Sequence, residues 1–245
     1  MRAAGLTDVG MLRYENQDTF GTLPLDGCDA LLAVVCDGMG GVSGGRIASE
    51  LCVDTLKAAL ADATEVTDEL LDSALSAANA ALRTRASELG LDCIGTTVVL
   101  AVANEWEVRL LWVGDSRAYL WHEGVLTRLS HDHSLVQSLV DAGSITEEEA
   151  RHHSRRNIIT RAVGTKDTVE GEKKTVAWQT GDLILLCSDG LYGMVEEKEI
   201  SEILSEEETT AHMAHVLVAA ANSHGGEDNV TALIIENTKE NSSDA

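Results

Sequence analysis

Proline is nearly absent from this chain: Pro24 is the one example in 245 residues, where ordinary usage would give roughly 12. Aromatics are scarce as well, with four Trp, three Tyr and one Phe, so a core has to be built from aliphatic side chains and alanine. Basic residues are the third shortage. Lysine and arginine number 18 against 41 aspartates and glutamates, a formal net charge of −23. Such a chain repels phosphodiester backbones and anionic lipid, which argues against nucleic-acid and membrane-surface binding and favours cationic partners and divalent metals. No apolar run approaches the roughly 18 residues of a membrane helix, and the N-terminal residues lack the apolar stretch of a secretory leader. The five cysteines are odd in number and without CxxC spacing, so they are expected to be reduced, mostly buried thiols of a cytoplasmic protein.

What is present is 44% apolar residues, enough to build a core. No internal repeat and no Gly/Ser/Pro-rich linker interrupts the chain. One domain is therefore expected over 1–238, with polar character from Glu236 onward and a tail over 239–245. The run Ala30 to Cys36 suggests a strand buried on both faces. Helical periodicity follows over Arg46–Leu60 and Thr67–Leu89, the latter with Thr67 as cap and Gly90 as stop. From Thr96 to Leu129 the period becomes two, predicting an antiparallel meander. Two short helices are expected at Ser134–Ala142 and Thr146–His153, then strands at Val176–Trp178 and Leu183–Cys187. Helices at Glu197–Leu204 and Glu207–Asn222 and a strand at Asn229–Glu236 complete the pattern. Blocks of helices around antiparallel strands indicate the α+β class.

Four aspartates share one kind of location. Asp37, Asp115 and Asp189 each follow an apolar strand, and Asp228 precedes one. Three have a glycine beside them, which lets backbone approach a ligand. Carboxylates gathered at one sheet edge repel one another unless cations fill the gap, and hard oxygen ligands suit Mg²⁺ or Mn²⁺. A single Asp-Gly at a strand end is ordinary turn chemistry; four of them point to a metal site. Beside such a site, Arg13 has the fork geometry to hold a phosphate or a carboxylate.

The segments Arg13-x-x-Asn16-Gln17-Asp18, Asp37-Gly38-Met39-Gly40-Gly41, Gly95-Thr96-Thr97, Gly114-Asp115-Ser116-Arg117, Ser188-Asp189-Gly190-Leu191 and Asp228-Asn229-Val230-Thr231 occur in that order. Together they resemble bacterial metal-dependent serine/threonine protein phosphatases of the protein phosphatase 2C type, over about residues 3–235. The resemblance implies a four-layer αββα sandwich, two antiparallel sheets flanked by helices, with a small flap at about 131–165. It also implies two Mn²⁺ or Mg²⁺ ions per chain, with Asp37 bridging them, the Gly38 carbonyl on one, and Asp189 and Asp228 on the other. Asp18 would hold a metal-bound water, Asp115 a weaker third ion, and Arg13 the substrate phosphate. The implied reaction is hydrolysis of phosphoserine and phosphothreonine in proteins by a water bridging the two metals, without a phosphoenzyme. The expected partners are phosphorylated proteins, a Ser/Thr kinase and its substrates, and the chain is expected to be a monomer.

Some positions depart from the family. Met39 stands where eukaryotic relatives place a histidine proposed as general acid, and Val42 where many bacterial members have histidine. Gly193 stands where aspartate is frequent, which takes a ligand from any third ion. His153 and Arg156 match the later flap, which resembles His-Pro-x-Arg-Asn with Ser154 for proline, and are the candidate substrate contacts there. His131-Asp132-His133 has zinc-like spacing at the flap entrance, and His212 with His215 is a possible pair without a third ligand. A non-catalytic phosphoprotein-binding module would be marked by lost metal ligands, but all four aspartates remain. A calcium buffer would need twelve-residue ligand loops, and none is present.

Overall fold

The computed structural model describes residues 1–39, 41–206 and 208–238; the tail over 239–245 and the side chain of Val42 lie outside the described part. The chain begins with β1 (Arg2–Asp8), β2 (Asp18–Leu25) and β3 (Ala30–Met39), followed by α1 (Gly41–Leu60) and α2 (Asp68–Leu89). The strands β4 (Gly95–Thr96), β5 (Val98–Ala103), β6 (Glu107–Val113), β7 (Arg117–His122) and β8 (Val125–Arg128) form the meander. The flap carries α3 (Leu135–Asp141) and α4 (Glu147–Arg151), after which β9 (Glu172–Ala177) and β10 (Leu183–Cys187) return to sheet. Then come α5 (Asp189–Tyr192), α6 (Glu197–Leu204), α7 (Thr210–Ser223) and β11 (Val230–Glu236).

One sheet has the order β1-β11-β10-β7-β8 and the other β2-β3-β5-β6-β9, with β4 beside β3, and the pairings are antiparallel. Three apolar layers glue four structural ones. Val34 and Cys36 of β3 face α1 and α2, meeting Cys52, Leu56 and Leu75. Their neighbours Ala33 and Val35 face the opposite sheet, meeting Ile184, Leu186, Leu233 and Ile235. On the far side Leu185, Ala232 and Ile234 pack under Leu204, Leu217 and Val218 of α6 and α7. The strand alternation thus buries both faces of a continuous apolar run, which explains the lack of polar punctuation in it. Each fully buried leucine contributes about 2 kcal/mol of transfer free energy. The αββα expectation therefore holds.

Capping chemistry works as the sequence indicates. Thr67 Oγ1 accepts from Leu70 N at 3.2 Å, and Gly90 ends α2 at φ 67°. Thr146 and Glu149 form a reciprocal capping box. Several boundaries differ. The edge strands β1 and β2 carry no clear period and were not expected. α1 starts at Gly41 rather than Arg46. β9 covers Glu172–Ala177 instead of Val176–Trp178, because a charged edge strand shows no apolar run. α7 runs over Thr210–Ser223, with Thr209 capping it through His212 N; Glu207, where the sequence reading begins this helix, lies outside the described residues. Asn237, placed by sequence in the polar segment, is 2% exposed and hydrogen-bonds Glu105 O through Nδ2 and Asp182 O through its backbone N.

Candidate active site

Five aspartates converge where the two sheets end. Asp18 opens β2 directly opposite Asp37 at the end of β3. The backbone of Asp37 is clamped: its N donates to Thr97 Oγ1 at 2.9 Å, and its O accepts from Thr97 N and Thr96 Oγ1, both at 2.8 Å. At Gly38 a Cβ would press into the backbone of Gly45 and Gln17, so only glycine lets these strands and α1 approach so closely. Gly114, at φ 106°, turns the chain so that Asp115 follows β6 into the same region. Asp189 begins α5 immediately after β10, and Asp228 precedes β11.

Asp18 is 6% exposed and accepts at Oδ2 from Ser188 Oγ (2.6 Å) and Thr231 Oγ1 (2.7 Å). Behind Thr231 runs a relay. Asn16 Nδ2 donates to Thr7 Oγ1 at 2.9 Å, and Thr7 Oγ1 stands 2.7 Å from Thr231 Oγ1, so the chain of donors is oriented toward Asp18. Despite these donors, burial pushes Asp18 up to about 6. Burial, followed by repulsion from Asp132, pushes Asp115 up to about 7. Asp37 and Asp189 are driven well above the carboxylate range by desolvation first and then by the other aspartates. Among the described residues, two buried oxygens, Asp18 Oδ1 and Asp189 Oδ1, have no hydrogen-bond partner. Among the described residues no three His, Cys, Asp or Glu side chains close into a ligand set. That is compatible with a Mg²⁺-like ion, which takes one or two carboxylates and keeps several waters.

Arg13 Nη2 donates to Asp228 Oδ2 at 2.7 Å, and the arginine side chain is half-exposed. Its loop is held from below: Met11 N donates to Gly226 O at 2.8 Å, and Asn229 Nδ2 reaches Val9 O and Glu15 O. Asn16, Thr7, Thr231, Ser188, Thr97 and Asn229 have no role assigned from the sequence. Asn16, Thr97, Ser188, Asn229 and Thr231 lie inside the motifs that carry the family resemblance, a signal that could have found them; Thr7 lies outside those motifs.

A cleft of about 390 Å³ extends from Arg13, Asp189 and Asp228 beneath the flap, where Glu147, Glu148 and Arg156 line it. Arg156 Nη2 donates to Glu227 Oε2 at 3.0 Å, tying the flap to the loop before Asp228. His153 does not line this cleft; its Nδ1 accepts from Arg155 N within its own turn. The zinc-like triplet diverges. His131 pairs with Asp141, Asp132 takes Arg117 and Arg128, and His133 turns to Gly114 and Glu172.

His133 is 5% exposed, accepts from Gly114 N at Nδ1 (3.1 Å) and meets Glu172 Oε1 at Nε2 (3.0 Å). Burial lowers its pKa below the ordinary 6.5. The unfolded chain therefore binds the proton first, so this contribution is complete above about 6.5 and is lost as pH falls through the folded value. His133→Asn is expected to lower Tm by about 2–4 °C at pH 7.5. The gap should narrow toward pH 5.5 in thermal melts; a constant gap would refute the linkage.

Two antiparallel sheets between helix layers, with carboxylates gathered at one end, define the class: an αββα sandwich enzyme with an acidic centre at the sheet ends. The chain belongs to the protein phosphatase 2C family, which it matches over residues 14–229. It is 40% identical over 242 residues to the serine/threonine phosphatase stp of Listeria monocytogenes, covering 96% of each chain. Its fold is similar to the crystal structure of the Mycobacterium tuberculosis serine/threonine phosphatase PstP/Ppp, with a TM-score of 0.89, 35% identity and 97% and 99% of the two chains covered. It is also similar to the catalytic domain of PstP in complex with two manganese ions, with a TM-score of 0.84, 34% identity and 96% and 97% covered.

Proposed function

We propose that this chain is a divalent-metal-dependent protein phosphatase that hydrolyses phosphoserine and phosphothreonine. The observation that carries the reading is the pair of buried, unpartnered carboxylate oxygens of Asp18 and Asp189 inside a ring of mutually repelling aspartates. Such a donor set fits hard cations and little else. In this reading Asp37 and the Gly38 carbonyl would hold one ion, Asp189 and Asp228 would hold the other with Asp37 beside them, and water would complete both shells. Asp18 orients water beside them, and Asp115 offers a weaker third seat. Divalent cations, when bound, supply charge that polarises a phosphate ester and acidifies water.

The chain's own residues do the rest. Arg13, at the mouth of the cleft, binds the phosphate oxygens and stabilises the charge that develops on them. Asp18, fixed by Ser188 and Thr231, keeps an acceptor directed at the attacking water. Water adds to phosphorus, the bond to the serine or threonine oxygen breaks, and phosphate and alcohol leave. Met39 has no proton to donate, so the leaving oxygen takes one from water or another group. No cysteine is required as nucleophile: Cys36 and Cys187 are fully buried, and burial pushes Cys187 up to about 12.

Residues 1–238 act as one catalytic unit in this reading, monomeric and cytoplasmic, with 131–165 as its flap and Mn²⁺ or Mg²⁺ as metal. No helix among the described residues is long and apolar enough to cross a membrane. Phosphorylated proteins are the substrates, and a Ser/Thr kinase is the activity it opposes. The test is turnover of a phosphothreonine peptide with Mn²⁺ and with chelator; activity indifferent to chelator overturns the reading. Arg13→Ala should raise KM for that peptide about tenfold or more, the worth of a charge-assisted hydrogen bond. An unchanged KM would remove the phosphate role from Arg13.

A further inference from the structure

A buried polar assembly built on Arg117, Asp132 and Tyr192 lines the same cleft. Arg117 follows Asp115 by two residues and opens β7, where its register partner is Cys187, two residues before Asp189. Its guanidinium carbon sits 3.6 Å from the centre of the Tyr192 ring. The guanidinium is held on its other sides. Nη2 and Nε donate to Asp132 at 2.8 and 3.1 Å, and Nη1 donates to Tyr119 Oη at 3.1 Å. Arg128 Nη2 adds a second contact to Asp132 at 2.6 Å. Tyr119 Oη in turn donates to Glu197 at 3.2 Å. Asp132 stands at the entrance to the flap, so the root of that segment is part of the clamp.

Tyr192 lies one helical turn after Asp189 in α5, and its hydroxyl donates to the backbone carbonyl of Asp115 at 3.0 Å. The ring therefore ties together two chain segments that carry repelling carboxylates. A planar guanidinium stacked on an aromatic face and locked by a bidentate carboxylate is a rigid support. The next residue, Gly193, brings no carboxylate to this end of the site, so nothing on the side chain of residue 193 shares the task.

We propose that Tyr192 and Arg117 are positioning residues for the metal-binding aspartates. Tyr192 fixes Asp115 relative to Asp189 through its hydroxyl, and Arg117, clamped by Asp132, fixes the Tyr192 ring. The inference rests on the metal-dependent reading above. Groups that orient ligands without touching the ion are ordinarily worth about 10–100-fold in metal affinity.

Calorimetric titration of the purified chain with Mn²⁺ is the test, with Tm in chelator measured alongside. Tyr192→Phe removes only the hydroxyl and should raise the Mn²⁺ Kd about tenfold, with metal-free Tm moved by no more than about 2 °C. Tyr192→Leu removes the stack too and should raise Kd further, as should Arg117→Met, while Arg117→Lys should fall between. Lost turnover in Tyr192→Phe should return as Mn²⁺ is raised. Unchanged Kd in both Tyr192 variants, with Tm lowered in Tyr192→Leu, would make the assembly mere packing and overturn the inference while leaving the phosphatase reading intact. Absence of Mn²⁺ binding by the unmodified chain would sink both.

Discussion

Exchanging Asp37 for asparagine is expected to lower kcat/KM for a phosphothreonine peptide by at least about a thousandfold. The estimate follows from the several kcal/mol of charge stabilisation a metal centre supplies, at 1.36 kcal/mol per tenfold. The backbone of Asp37 is held by Thr96 and Thr97 rather than by its own carboxylate, so the near-isosteric amide leaves the strand end in place. Removing one of several repelling buried charges should even raise Tm in chelator. Activity and stability then move in opposite directions, which no unfolding artefact reproduces. Asp189→Asn is expected to behave alike, because Asp189 contributes an unpartnered buried oxygen to the same cluster. Turnover at saturating Mn²⁺ together with thermal melts checks both; activity within tenfold of the parent would remove Asp37 from its role.

Stripping divalent cations is expected to abolish turnover and to lower Tm at pH 7.5, and to lower it less at pH 5.5. Asp18 rises to about 6 and Asp115 to about 7, and Asp37 and Asp189 are also held well above the carboxylate range, against about 3.9 in an unfolded chain. The folded, metal-free protein therefore holds protons that the unfolded chain has released. Their stabilising contribution is complete below about 3.9 and is lost as pH rises through the folded values. A cation replaces those protons at pH 7.5 but must compete with them at pH 5.5. With metal at a hundredfold its Kd the gain is about 2.7 kcal/mol, which corresponds to about 5–10 °C. Fluorimetric melts at the two pH values, with and without Mn²⁺, decide it; a metal-induced shift larger at pH 5.5 would contradict the electrostatic account.

The strand ends were legible because apolar runs such as Leu183–Cys187 stop abruptly at a polar residue, and burial on both faces leaves no other pattern. The aspartates were legible for the same reason: each breaks or borders such a run. β1 and β2 were not, since Ala3, Ala4 and Gly5 neither alternate nor run apolar, and their place is set by pairing with β11 and β3. The hydroxyl relay through Thr7 and Thr231 joins residues 224 positions apart, which no local spacing reveals. His153 and Arg156 looked equivalent in sequence, yet the turn around Ala150–Arg156 keeps the histidine in local bonds and leaves the arginine over the cleft. Tyr192 carried no signal at all, because its partner is a carbonyl set by the turn at Gly114.

If Arg13 binds phosphate as proposed, its pair with Asp228 means that the guanidinium would meet the incoming group already in the company of an anion. A cation so occupied gains less from a second negative group than a solitary one, since the newcomer must displace or share what is there. In that reading, affinity for inorganic phosphate would be moderated, and the product would be easier to shed than from an unopposed arginine. Asp228 would then act as a stand-in for the group that the site releases.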